Sequence, residues 1–249
     1  MRISFVVPAY NEADYLPACL QSIFRETHGS DVETEVIVVN NASTDATRDV
    51  AESFAGVRVV DQPIKGLTHA RQAGFEACTG ELIANVDADS RLPPGWLQHV
   101  LDEFADRPQM LALSGPLLYF DLTPTQQVLV QVFYGLAWAT YALNRYVLRV
   151  GSMVQGGNFI VARRGLEAIG GFNLSISFYG EDTDIARRLN ELGEVRFTFA
   201  LRMLSSARRL NKEGILTTAM RYSLNYFWTT FREHPFTRQH ADIREQPEG

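Results

Sequence analysis

Two aspartates separated by one alanine, Asp87 and Asp89, end the apolar run in "ELIANVDADS" at residues 81–90. In extended backbone, residues two apart face the same side, so both carboxylates point into one small volume. That spacing suits either a solvated strand-end turn or a pair that jointly holds a cation, for which carboxylate oxygens are the hard ligands preferred by Mg²⁺ or Mn²⁺. A second acidic group lies far along the chain in "GEDTDIARRL", residues 180–189. There Glu181, Asp182 and Asp184 load the first turn of a predicted helix, where carboxylates meet the positive dipole end, and Arg187 and Arg188 follow. Read alone, that is an acidic helix cap. Cations stand between and beyond these groups: Lys65 and Arg71, then Arg208 and Arg209 in "SSARRL".

The segments that must position these residues alternate regularly. "RISFVV", "EVIVV", "VRVVD" and "ELIANV" read as strands, and "DYLPACLQSIFRE", "STDATRDVAESF" and "LTHARQAGFEAC" as the helices between them, with Ser43 or Thr44 as N-cap of the second. Such repeated strand–helix units specify a mostly parallel sheet with helices on both faces, an α/β fold. Ligands of such sheets collect at the carboxyl ends of the strands. "PAYNE" leaves the first strand, "NNASTD" the second, "QPIKG" the third and "DADS" the fourth, all along one edge. No G-x-G-x-x-G follows the first strand and no G-x-x-x-x-G-K-[ST] occurs, which disfavours both dinucleotide and P-loop sites. A nucleotide held by amides and a metal-bound diphosphate suits the residues that are there.

Composition narrows the rest. A length of 249 residues at 46% hydrophobic suffices for a real core, and a net charge of -6 lacks the basic footprint of a nucleic-acid binder. Cys19 and Cys78 are far apart among apolar neighbours, which fits a reducing compartment and a cytoplasmic protein better than a disulfide framework. The apolar run before Pro8 reads as a first strand, not a leader.

The motifs "VVPAYNE", "VVNNASTD", "KGLTHARQAGFEACTGELIANVDADS", "GGNFIVARRGLEAIGGFN" and "GEDTDIARRL" occur in one order across residues 6–189. In this the sequence resembles the family 2 glycosyltransferases of GT-A fold, and within them a bacterial branch of small members. The resemblance implies an inverting transferase that moves a sugar from a nucleoside-diphosphate-sugar donor to an acceptor hydroxyl. Asp89 would bind Mg²⁺ or Mn²⁺ directly, with Asp87 at the ribose or a metal-bound water. Asp182 would be the general base, with Glu181 as its competitor. Pro8, Ala9, Tyr10 and Glu12 would frame base and ribose, Lys65 and Arg71 would approach the nucleotide or its phosphates, and Gly157, paired with Gly156, would allow close approach to the sugar. Arg208 or Arg209 would hold the diphosphate, as in related processive synthases. Asn40 and Asn41 depart from the family's two aspartates; an amide at Asn40 still accepts a hydrogen bond from a base, but uridine is less strongly implied. That departure motivates the alternative, a non-catalytic nucleotide or nucleotide-sugar binding module of the same fold.

Residues 1–232 read as one domain, with a nucleotide-binding half at 1–92 and an acceptor-binding half at 93–232. The acceptor half carries two amphipathic helices, about 123–150 and 215–232. On the first, Gln127, Gln131, Tyr134, Trp138, Tyr141 and Arg145 share a polar and aromatic stripe opposite Val128, Val132, Leu136, Ala139 and Leu143. On the second, Leu216, Met220, Leu224, Phe227 and Phe231 share a face. Packing into the core is the plain expectation for both; peripheral contact with the inner face of the cell membrane, with a lipid-linked acceptor, is the sharper one, beside a sugar or other hydroxyl acceptor. Residues 233–249 lack an apolar period and are expected to be mobile.

Overall fold

The structure, a computed structural model, describes residues 1–142, 153–176, 178–232 and 236–237. Strands β1 (Arg2–Ala9), β2 (Glu33–Asn40), β3 (Val57–Asp61) and β4 (Leu82–Val86) alternate with helices α1 (Leu16–Thr27), α2 (Thr47–Glu52) and α3 (Leu67–Ala77). All four strands run parallel, in the order β3-β2-β1-β4. Two antiparallel pairings extend the sheet: β8 (Asn158–Ala162) lies between β4 and β6 (Met110–Ser114), and β9 (Glu194–Phe197) closes the far edge beside β6. A three-stranded sheet joins β5 (Ser90–Arg91), β10 (Met203–Ser205) and β7 (Leu117–Tyr119), tying the segment after Asp89 to the one before Arg208.

Strand alternation divides the core in two. Ile3, Phe5 and Val7 of β1 face one side, with Leu16, Leu20 and Ile23 of α1 and Trp96, Leu97 and Val100 of α4 (Trp96–Asp106). Val6, Ile37 and Val39 face the other, with Ala70 of α3, Leu166 of α6 (Arg163–Ala168) and Ile185 and Leu189 of α7 (Glu181–Asn190). A central strand buried on both faces explains the near-continuous apolar runs. Asn158 pins the two halves together: its side chain accepts from Trp96 Nε1 at 3.1 Å and donates to the Gly115 and Leu201 carbonyls at 3.0 and 2.8 Å.

Three local expectations change. Neither Ser43 nor Thr44 caps α2; Asp45 accepts the Thr47 N–H at 2.9 Å, while the Ser43 hydroxyl accepts from the Asn11 backbone. The run "VRFTFAL", residues 195–201, reads as one strand but stops at Phe197, and the chain re-enters a strand only at Met203. The largest change concerns α5 (Pro124–Ala142) and α9 (Ile215–Arg232), whose apolar stripes do not pack inward. Val128, Val132 and Leu136 are exposed while Tyr141 is buried; Leu216, Met220 and Leu224 are exposed while Thr218, Asn225 and Thr229 are buried. The inward rows are held by polar contacts that periodicity does not weigh: the Tyr134 hydroxyl accepts the Leu117 N–H at 3.1 Å and bonds Gln155 at 3.2 Å. Leu143, Arg145 and the rest of 143–150, the side chains of Phe227 and Phe231, and nearly all of 233–249 lie outside the described residues. No helix among the described residues is long and apolar enough to cross a membrane.

Candidate active site

The carboxyl ends of β1 to β4 open on a cavity of about 480 Å³ that continues between α5 and α9. Parallel register aligns Ala9 with Asn40, and Asn40 with Asp61, so the loops that follow share one rim. Pro8, Ala9, Tyr10 and Lys65 line it, with the Lys65 ammonium 4.0 Å from the Tyr10 ring centroid. Asn41, not Asn40, is on the wall. Its amide donates to the Gln62 and Ile64 carbonyls at 3.1 and 2.7 Å and accepts from Gly66 N–H at 2.8 Å, which fixes the loop carrying Lys65. Asn40 donates instead to Asp61 at 2.8 Å, leaving its buried carbonyl oxygen without a hydrogen bond.

The acidic residues fall into three groups that differ in their cation. Arg71 on α3 is 1% exposed and bridges Glu181, by a short ion pair, and Asp87 Oδ1 at 3.1 Å. Burial would lower the pKa of this guanidinium, but Glu181 and Asp87 together push it up. Burial raises Glu181 to about 7 against the attraction of Arg71. Arg208, at the start of α8 (Arg208–Glu213), pairs with Asp89 Oδ2 at 2.9 Å and with Glu12, 4.7 Å from the Tyr15 ring centroid. Its pKa too is raised, by Asp89 first and then Glu12, against the cost of burial. Asp182 makes no ion pair with another described residue. Backbone N–H groups of Thr183 and Gly156 donate to its two oxygens at 2.8 and 3.3 Å, and burial raises its pKa against those bonds.

The sequence brings Asp182 there by a left-handed turn. Gly180, at φ +83°, stands at the N-cap of α7, so Glu181 and Asp182 occupy its first turn with Glu181 aimed at Arg71. Gly157 has φ +78°, and a Cβ there would sit 2.3 Å from Asp87 Oδ2. The paired glycines thus admit backbone against the carboxylates of the site, in addition to any approach to a sugar. Arg209 lines the same cavity, pairs with Glu213 at 2.9 Å and lies 4.6 Å from the Phe178 ring centroid.

Asp87 and Asp89 lie in a turn after β4 rather than in extended backbone, and each pairs with a different arginine, Arg71 and Arg208; their carboxylate oxygens are of the hard type that suits a divalent cation. Among the described residues no cluster of three or more His, Cys, Asp or Glu side chains is built for a metal. Two carboxylates are the number used by Mg²⁺ when substrate phosphates and water complete the shell. Asn41, Tyr134 and Gln155 also line the cavity: the sequence marks Asn41 only as a departure from the family's aspartates and Tyr134 only as part of the α5 stripe, and Gln155 carries no motif. Glu12 is 1% exposed and pairs with Arg208, and the Glu12 backbone N–H donates to Thr47 Oγ1 at 2.7 Å.

Comparison with known proteins now decides the family. The family model described as Glycosyl transferase family 2 matches residues 4–170. The chain belongs to glycosyltransferase family 2. Among curated family members, an uncharacterized glycosyltransferase, alr2836 of Nostoc sp., is 36% identical over 109 residues, 42% of this chain and 33% of its own. Chondroitin synthase of Pasteurella multocida is 33% identical over 106 residues, 41% of this chain and 11% of its own. The chain spans about a third or less of the length of the curated relatives it matches. Among solved structures, S. aureus TarS 1-349 superposes with a TM-score of 0.65 at 16% identity, covering 94% of this chain and 73% of that one. The mannosyltransferase PcManGT from Pyrobaculum calidifontis, in complex with GDP-Man and Mn²⁺, superposes with a TM-score of 0.64 at 23% identity, covering 88% and 64%. The fold is GT-A, with a mostly parallel central sheet between helices, and the family members are enzymes that use nucleotide sugars.

Proposed function

We propose that this glycosyltransferase transfers a hexose-type sugar with inversion, from a nucleoside-diphosphate donor seated between Tyr10, Lys65 and the Asp87–Asp89 turn, to a hydroxyl presented beside Asp182. One observation carries the assignment of the base: of the two adjacent acids, both of which line the cleft, Glu181 is ion-paired with buried Arg71, whereas Asp182 makes no ion pair with another described residue and accepts hydrogen bonds from backbone N–H groups. A carboxylate with a raised pKa is a better proton acceptor than an exposed one. Asp182 takes the acceptor proton as the oxygen attacks the anomeric carbon from the face opposite the diphosphate, and a single displacement of this kind inverts configuration. A divalent cation, Mg²⁺ or Mn²⁺, held by Asp89 with Asp87 behind it would supply Lewis-acid stabilisation of the departing diphosphate.

The chain's own cations act around that event. Lys65, beside Tyr10, lies where it can meet phosphate oxygens. Arg208 must loosen from Asp89 for that carboxylate to serve a metal, and its charge then turns to the diphosphate. Support for a donor of this class comes from the cavity's size, within the range of small-molecule sites, and from the GDP-Man and UDP-GlcNAc complexes of the structural neighbours. The acceptor lies on the α5–α9 side.

A thermal-shift panel of nucleoside diphosphates and their sugars, with and without Mn²⁺, tests this reading, because a ligand that binds the folded state stabilises it by mass action. Stabilisation that requires Mn²⁺ is expected. Binding that ignores Mn²⁺, with no donor hydrolysis, would instead support the non-catalytic module.

A further inference from the structure

Helices α5 and α9 adjoin one another beside the cleft and are built inside out. Val128, Leu129 and Val132 are exposed on α5, and Leu216, Met220 and Leu224 on α9, while the inward rows include Tyr134, Tyr141, Asn225 and Thr229. A water-facing helix surface ordinarily carries charge. Helix α5 has none over its described residues, Pro124–Ala142, and the charges of α9 are Arg221 and Arg232 alone. Preceding α8 supplies Arg209, at the cleft wall, and Lys212 against a single acid, Glu213, which Arg209 and Arg221 share as ion-pair partner. In a chain of net charge -6, acids have been kept off this face almost entirely.

The cleft opens onto the same face. Leu136, 66% exposed, belongs both to the outer stripe of α5 and to the cleft wall. Phe133, Ala137, Ala219 and Tyr226 line the same cavity as Leu136 and Asp182. Trp138 and Phe199, both part-exposed with rings 6.4 Å apart, stand at the end of α5, where an amphipathic ring suits the boundary between water and hydrocarbon.

We propose that α5 and α9 rest on an anionic lipid surface, and that the acceptor hydroxyl is borne on a lipid whose apolar chain leaves the cleft past Leu136. The inference rests on the transferase reading of this cleft and names its acceptor class. In the step itself, the lipid-borne oxygen forms a bond to the anomeric carbon as the bond from that carbon to the diphosphate breaks. The proton passes to Asp182, and the electron pair leaves with the nucleoside diphosphate. Cationic residues flanking an aliphatic face match anionic head groups, whereas a second copy of the chain would set that cationic face against itself.

Two measurements on the full chain test this. Co-sedimentation compares vesicles of phosphatidylcholine and phosphatidylglycerol in equal parts with vesicles of phosphatidylcholine alone. The anionic vesicles should capture the wild type at low salt, and the V132E/M220E double variant, altered outside the cleft, should bind about tenfold or more weakly. Thermal shift then compares octyl with methyl glucoside in the presence of the nucleoside diphosphate. The octyl compound should act at about tenfold lower concentration or less, in the wild type and in V132E/M220E alike. No capture by anionic vesicles, capture unchanged in the variant, or a lipid-free dimer that the variant dissociates would overturn the surface assignment. Equal effects of the two glucosides would overturn the lipid-borne acceptor. A wild type that binds vesicles but no nucleotide sugar would remove the transferase reading and leave the lipid-docking face standing.

Discussion

Substituting Arg71 by methionine tests whether one buried cation organises the acidic residues. The side chain is fully enclosed and bonds both Glu181 and Asp87, with Asp182 next in sequence to Glu181. Methionine fills much of the volume but leaves those carboxylates without their counter-charge. Removing one partner of a buried ion pair costs about 3–5 kcal/mol. Two lost charge-assisted hydrogen bonds, at about 1.5–3 kcal/mol each, give the same size. For a domain of this length the melting temperature should fall on the order of 10 °C. The pH dependence follows from Glu181, whose folded value is raised to about 7 from an ordinary 4.5. Between those values the folded state holds the proton that the unfolded state has lost, so stability falls as pH rises. Without Arg71 the folded value rises further, and the deficit of R71M should grow from pH 5 to pH 8. Adding E181Q should return a large part of the loss by removing the stranded charge. Chemical denaturation of the single and double variants at the two pH values is the assay. A deficit below about 1 kcal/mol, well under the cost of a broken buried pair, would refute the reasoning, as would one that neither pH nor E181Q alters.

Further outcomes follow from the same geometry. D182N should bind donor as the wild type does yet lose about 10²–10⁴ in kcat, read by donor consumption at saturating substrate. Because burial raises the pKa of Asp182, and the base acts deprotonated, the acid limb of wild-type kcat/KM should lie above the ordinary aspartate value and be missing from the residual activity of D182N. G157A places a methyl group against Asp87 at a positive φ, which should cost about 1–2 kcal/mol for the backbone alone and weaken donor binding in calorimetry. D89N should remove the Mn²⁺ dependence of nucleoside-diphosphate binding in the same instrument, while thermal unfolding shows the domain still folded.

Much of the N-terminal parallel sheet, residues 1–92, was legible because its signals are local. "VRVVD" coincides with β3, since a short apolar run between turn residues has few other ways to bury itself. The rim also follows from chain order, as parallel strands must end on one side. Pairings across the chain were not legible: Arg71 meets Glu181 across 110 positions and Arg208 meets Glu12 across 196. Neither arginine carries a local mark of burial. The helices α5 and α9 misled for a different reason. Periodicity finds the apolar face but does not say which face the protein covers, and here polar anchors such as Tyr134 and Asn225 turn the other face inward.

The central claim is a single displacement with Asp182 as base. Proton NMR of the newly formed anomeric centre measures it, with an α-linked nucleoside-diphosphate sugar chosen from the binding panel and wild type compared with D182N. A β product from the wild type, and none from D182N at undiminished donor affinity, is the result expected. A product that retains the α configuration, or turnover by D182N close to that of the wild type, would contradict the account.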